Sequence, residues 1–371
     1  MNLPRSRLLA TIVGTVACTA LLHACGGGGG YGGGNGGMAG QGYAATSLVS
    51  DAASIYSSTH TDPNLVNGWG VAMNPTGFAW VADEGTSKSS LYDGNGVQQA
   101  PLISIPAGQA GAAMPTGLVF NGSATEFMIG APGARAPALF IFAGLSGTIA
   151  GWSQAVDPSN ALTLVDNAAA GSVYTGLALA AQGGADFLYA ADFVNGRVDV
   201  FDTSFAAATV AGGFKDPSLP AGYAPFGIQA IGDRIYVAYA IPDPTTHEKR
   251  GAGLGVLDVF DTGGTLIKQL VGAGGVLDAP WGIAMAPANF GAFSNALLVG
   301  NFGDGRINAF DPNTGALLGT LADGNGTPLA FDGLWGIAFG NGINNMPTNT
   351  LFYAAGPGNE THGVFGRIDV R

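Results

Sequence analysis

The chain has 371 residues, 63 of them glycine and 20 proline; 47% are hydrophobic and 10% charged. So much apolar surface excludes a disordered chain, and the glycine and proline content argues against a helical one. With 25 Asp and Glu against 13 Lys and Arg, the formal net charge is −12; no basic footprint exists, and nucleic acid is excluded as a partner.

At the N-terminus, Arg5 and Arg7 precede an apolar run over residues 8–22 that is too short to span a membrane comfortably. The run ends Leu22-His23-Ala24-Cys25. This ending resembles a bacterial lipoprotein signal. The resemblance implies that residues 1–24 are removed and that Cys25 carries lipid. It also implies an exported lipoprotein, held at the outer membrane or cell surface through its lipid anchor. An ordinary secretory signal cut near Ala24 is the alternative. The remaining cysteine, Cys18, lies within the signal, so the exported body has no disulfide and depends on packing alone. Residues 25–42 read as a Gly-rich tether, a coil of roughly 20–25 Å.

Ordered sequence begins near Tyr43, and residues 44–50 read as a strand. From Trp69 onward one short phrase recurs, centred on Gly70, Gly117, Gly176, Gly227, Gly282 and Gly336. It is clearest in Pro280-Trp281-Gly282-Ile283-Ala284. Successive glycines are 47 to 59 residues apart, a period that points to a propeller. Each phrase predicts a first strand. Second strands are expected at 78–82, 127–130, 187–191, 234–238, 296–300 and 351–355. Third strands are expected at 89–93, 138–142, 197–202, 255–261, 306–311 and 365–370. The first five repeats continue into a fourth strand, as at 265–270 and 316–321.

The sixth repeat stops after three strands, while a spare strand precedes the first repeat. The fold predicted for residues 43–371 is therefore all-β: a six-bladed β-propeller in which the N-terminal strand completes the last blade. The glycines would lie innermost, where a side chain would obstruct the approach of neighbouring backbones.

The segments Leu188-Tyr189-Ala190-Ala191-Asp192-Phe193-Val194-Asn195-Gly196-Arg197-Val198-Asp199 and Val299-Gly300-Asn301-Phe302-Gly303-Asp304-Gly305-Arg306-Ile307 resemble the NHL-type propeller repeat. Together with Asn67-Gly68-Trp69-Gly70, Trp80-Val81-Ala82-Asp83 and Leu91-Tyr92-Asp93-Gly94, the chain resembles an uncharacterised family of exported bacterial propellers, some of which carry a PEP-type C-terminal sorting tail. The resemblance covers about residues 43–370. It implies a secreted propeller and brings no catalytic residues with it. This sequence lacks the sorting tail.

Function in a propeller is expected on the face that carries the loops after the second strands. Asp83, Glu84, Asp192, Asn301 and Glu360 stand there and are the candidate ligand-binding residues. Convergent carboxylates and amides could hold a divalent cation such as Ca²⁺; as separate groups they would cap their own turns. The corresponding loops of the second and fourth repeats begin Ala131-Pro132 and Tyr239-Ala240, so an apolar side is expected opposite a polar arc. Trp69, Trp281 and Trp335 recur at one position and are expected to pack. Asp202, Asp261 and Asp311 end third strands and are expected to cap turns. Residues 242–250 form the longest and most charged loop, expected to be solvated or to touch a partner.

No Gly-x-Ser-x-Gly elbow and no histidine pair at metal spacing occurs. The reading is an envelope-anchored, monomeric, non-enzymatic propeller that binds a protein, glycan or small ligand. The competing class is a metal-dependent, lactonase-like hydrolase or a lyase with its site at the channel mouth.

Overall fold

The structure, a computed structural model, describes residues 42–371 apart from 245 and 246. The signal peptide, Cys25 and the tether expected from the sequence lie outside the described residues, except for Gly42 at the tether's end.

Six antiparallel sheets make six blades. The first strand of each carries the recurring phrase: Gly68–Met73, Pro115–Phe120, Tyr174–Gln182, Ala224–Ile231, Pro280–Met285 and Leu334–Phe339. Why glycine recurs is visible in the distances. A β-carbon built on Gly227 would meet the Trp281 carbonyl oxygen at 2.2 Å, and one on Gly336 would meet the Trp69 oxygen at 2.5 Å. Each of these glycines faces the first strand of the next blade, and Gly336 faces that of blade 1, so the contact runs once around the ring. A side chain at these positions would push neighbouring strands apart.

Outward from this ring, successive side chains serve two interfaces. In blade 4, Ile235, Val237 and Tyr239 pack toward blade 3, while the alternate residues Tyr236 and Ala238 pack toward blade 5. Both faces of a blade are covered, so second strands such as Ala79–Asp83 and Leu351–Ala355 are buried along their whole length. The period-2 alternation of a strand is therefore spent between two neighbours and not between core and solvent. Among the described residues, six apolar clusters fill the six interblade spaces, and a seventh sits in the channel.

The ring closes as the sequence predicts. Tyr43–Ser50 pairs antiparallel with Val364–Val370, from Tyr43 opposite Val370 to Ser50 opposite Val364. It supplies the fourth strand of blade 6. His60–Thr61 adds a short parallel strand outside it.

Blade 2 differs from the expectation. Residues 127–130 are not its second strand, and residues 138–142 are not its third. Phe140–Gly144 pairs directly with Pro115–Phe120, followed by Thr148–Trp152 and Leu162–Asp166. Met128–Ile129 instead pairs with Ala136–Pro137 in a separate ribbon. Phe127 and Gly130 bracket that ribbon with left-handed backbone, φ 52 and 99, which interrupts the extended conformation a second strand would need there.

Candidate ligand-binding site

In blade order the residues just before the ring glycines are Trp69, Thr116, Thr175, Phe226, Trp281 and Trp335. Of these, Trp69, Thr175, Phe226, Trp281 and Trp335 meet at the channel mouth. The four aromatics crowd together. Trp69 stacks on Trp335 with centroids 3.6 Å apart, Phe302 stacks on the other side of Trp335 at 3.9 Å, and Trp281 meets both tryptophans edge-on. Trp281 Nε1 donates across the channel to the Thr175 carbonyl, 2.8 Å, and Trp335 Nε1 donates to Asn67 Oδ1, 3.0 Å. The tryptophans pack, as expected from their spacing.

The two threonines are too small to fill their share. Their hydroxyls turn to the next blade: Thr116 Oγ1 donates to the Tyr174 carbonyl and Thr175 Oγ1 to the Phe226 carbonyl, both 2.8 Å. Space remains on that side of the ring, a cavity of about 510 Å³ walled by Met114, Leu145, Thr175, Phe193 and Phe226, with Trp69 at its edge. Below it the ring glycines pinch the channel to about 20 Å³. Beyond the waist the channel reopens as a funnel of about 390 Å³. The mouth is thus a pocket with a narrow waist beneath it.

The long loop of blade 4 roofs this pocket. Pro242–Asp243 pairs with His247–Glu248 as a small hairpin, and Pro242, Asp243, Pro244 and His247 complete the cavity wall. The loop then crosses to blades 5 and 6. The Arg250 guanidinium lies 4.2 Å over the Phe302 ring and 3.6 Å from Glu360 Oε1. Gly251 N–H donates to Asp278 Oδ1 at 2.6 Å. This segment is more than the solvated insertion its composition suggests: it straps the mouth.

The five candidate residues separate into two groups. Glu84 and Glu360 come together, because Asn67 Nδ2 donates to Glu84 Oε2 at 2.9 Å and to Glu360 Oε2 at 3.1 Å. Asn67 is buried, adopts left-handed backbone at φ 48, and also accepts from Trp335, so one amide ties blades 1 and 6 to the aromatic plug. Burial raises the Glu84 carboxyl, and the charge of Glu360 adds to the effect against the Asn67 hydrogen bond. Glu248 is pushed up to about 8 by burial and by Glu360, against the opposing charge of Arg250. The importance of Asn67 and of Glu248 with Arg250 was not legible in the sequence beyond their place in charged or polar loops.

Asp83, Asp192 and Asn301 stay apart. Each is fully buried at the end of its second strand. Asp192 accepts from Asn195 Nδ2 at 2.8 Å and Val173 N–H at 3.1 Å, within 3.3 Å of Arg197. Asn301 donates to the Val276 carbonyl and to Asp304. Asp83 accepts from Ser90 Oγ at 2.7 Å beside Asp62, and burial raises its carboxyl well above the usual range. All three serve the interior of their own blade region. Asp202, Asp261 and Asp311 each accept backbone N–H bonds from the following turn, as expected. Among the described residues no three or more His, Cys, Asp or Glu side chains gather to hold a metal ion; the donors do not fit the Ca²⁺ considered from sequence. No helix among these residues is long and apolar enough to cross a membrane.

No family model matches the chain. Two proteins of Acanthamoeba polyphaga mimivirus are similar along most of its length. Uncharacterized protein R648 is 32% identical over 315 residues, 83% of this chain and 76% of that protein. Uncharacterized protein L690 is 32% identical over 317 residues, 83% of this chain and 81% of that protein. The chain belongs to the family of R648 and L690. Among solved structures, a structural genomics protein of unknown function from Bacteroides thetaiotaomicron superposes with a TM-score of 0.56 at 11% identity, over 89% of this chain and 76% of that one. That likeness is one of fold, and it agrees with a β-propeller assignment for this family.

Proposed function

We propose that this protein is an envelope-anchored binding propeller whose small, largely apolar ligand occupies the cavity at the channel mouth. The observation that carries the reading is the 510 Å³ cavity itself. It has the size, the apolar walls and the few polar rim groups usual for small-molecule sites. On its wall Thr175 stands at a ring position where four other blades carry Trp or Phe. The hairpin over it would limit solvent access to a bound ligand. Anchoring through Cys25 and export remain part of the proposal, supported by Arg5, Arg7 and the Leu22–Cys25 ending.

The test is isothermal titration with a neutral aromatic probe, 2-naphthylmethanol, on the wild type and on Thr175→Phe. Phenylalanine is native to the equivalent position of blade 4, and here its ring would occupy the cavity. Saturable binding by the wild type and a loss of about tenfold or more, the factor that ~1.4 kcal/mol represents, supports the reading. Val194→Trp, at the exposed rim, provides a second block where the fold is not at stake. Equal binding by all three proteins would rule out this cavity as the site.

A further inference from the structure

The electrostatics of the mouth bear on which ligand the cavity takes, and the inference rests on the cavity being the site. Its walls are apolar, but its roof and one flank carry charge of one prevailing sign. Four carboxylates, Glu84, Asp243, Asp278 and Glu360, belong to this region, with Lys249 and Arg250 as its permanent cations, while Glu248, pushed up to about 8, is mostly protonated at neutral pH. His247 is on the cavity wall, beside Asp243 of the same hairpin. Two residues before Trp69, which is on the cavity lining, Asn67 holds Glu84 and Glu360 together as an acidic pair. The pair cannot disperse, since the same amide is locked to the indole of Trp335 in the plug.

We infer that the cavity selects a neutral or cationic aromatic ligand and rejects an anionic one, with the Glu84–Glu360 pair setting the preference. Phe193 and Phe226 touch, with centroids 4.7 Å apart, and a flat ring would lie against this pair beneath the hairpin, where aromatic surfaces favour stacked or edge-on contacts. An ammonium on that ring gains attraction from the acidic flank and from the ring faces; a carboxylate meets repulsion across a region of low dielectric. The protein's net charge of −12 works in the same direction at longer range.

Three probes sharing one ring separate the possibilities: 2-naphthylmethylamine, 2-naphthylmethanol and 2-naphthoate, titrated calorimetrically at neutral pH and low salt. The amine should bind about tenfold more tightly than the carboxylate, with the alcohol between them, and added salt should narrow the gap. In Glu84→Gln with Glu360→Gln, where each side-chain oxygen can still accept from Asn67, the amine-to-carboxylate ratio should fall toward one. Carboxylate binding that equals or exceeds amine binding overturns the inference, as does an unchanged ratio in the double variant, even if the alcohol binds in the cavity. If the alcohol and the amine both fail to bind, the cavity reading fails with it.

Discussion

Single residues set the tolerances of this ring. The six glycines are needed because the backbone of the next blade occupies the place of a side chain, and the closeness differs around the ring. At Gly227 the nearest atoms to an added β-carbon are backbone atoms of Trp281, from 2.2 Å; at Gly176 the nearest atoms lie at 3.2 Å and include the side chain of Ile228. Gly227→Ala should therefore cost about 3 kcal/mol or more and Gly176→Ala about 1 kcal/mol, the range over which overpacking costs fall. Urea unfolding midpoints check the order; equal losses would show that close approach is not what holds these glycines.

A buried carboxyl gives a second residue-level prediction. Asp258 is fully buried beside Tyr239 and Asp216, and burial with the nearby charge of Asp216 pushes it up to about 8. A carboxyl whose folded value exceeds its unfolded value holds its proton more tightly when folded. Its contribution is present in full below the unfolded value of about 4 and is lost as pH rises toward and through 8. Glu248 acts in the same direction. Thermal midpoints should fall between pH 5 and pH 9, and Asp258→Asn should fall less over that interval. A steeper decline in the variant would contradict the assignment.

At the scale of elements, the strand Tyr43–Ser50 should be indispensable. It supplies the outer row of blade 6, and Tyr43, Leu48 and Val49 are buried there. Tyr43 also donates from its hydroxyl to the Phe290 carbonyl in the neighbouring blade at 2.9 Å. Three such side chains contribute roughly 1.5–3 kcal/mol each, a large part of the ~5–15 kcal/mol that separates folded from unfolded domains. Deleting residues 43–50 should abolish the cooperative melt followed by circular dichroism. A melt within a few degrees of the intact protein would show that the ring closes by other means.

The first strands and the closing strand were legible because the glycine phrase and the count of strands are both properties of the chain in order. Blade 2 was misread where order and burial part ways. Phe127 and Ile129 are buried as their hydrophobicity suggests, yet they belong to a ribbon beside the blade, and an apolar run does not reveal its sheet. The site was half legible for the same reason. Glu84 and Glu360 follow second strands, so symmetry carries them to the mouth. That the blade 4 loop crosses to Glu360 and Phe302, and that Asn67 bridges two carboxylates, depends on packing between residues nearly 300 positions apart in the case of Asn67 and Glu360.

The whole molecule is a closed ring with a chamber at its mouth. Waist and plug narrow the channel between the chamber at the mouth and the funnel on the far side. The proposed anchoring makes its own prediction: Cys25→Ala should shift the protein from the membrane fraction to the soluble fraction of an expressing bacterium, and an unshifted protein would count against lipidation. The central claim is tested most directly by a crystal structure of the protein soaked with 2-naphthylmethanol. The account predicts the naphthyl ring beside Thr175 and Phe226, beneath Pro242 and Asp243. A chamber filled by Phe193 or Trp69, with the probe absent or lodged in the opposite funnel, would contradict it.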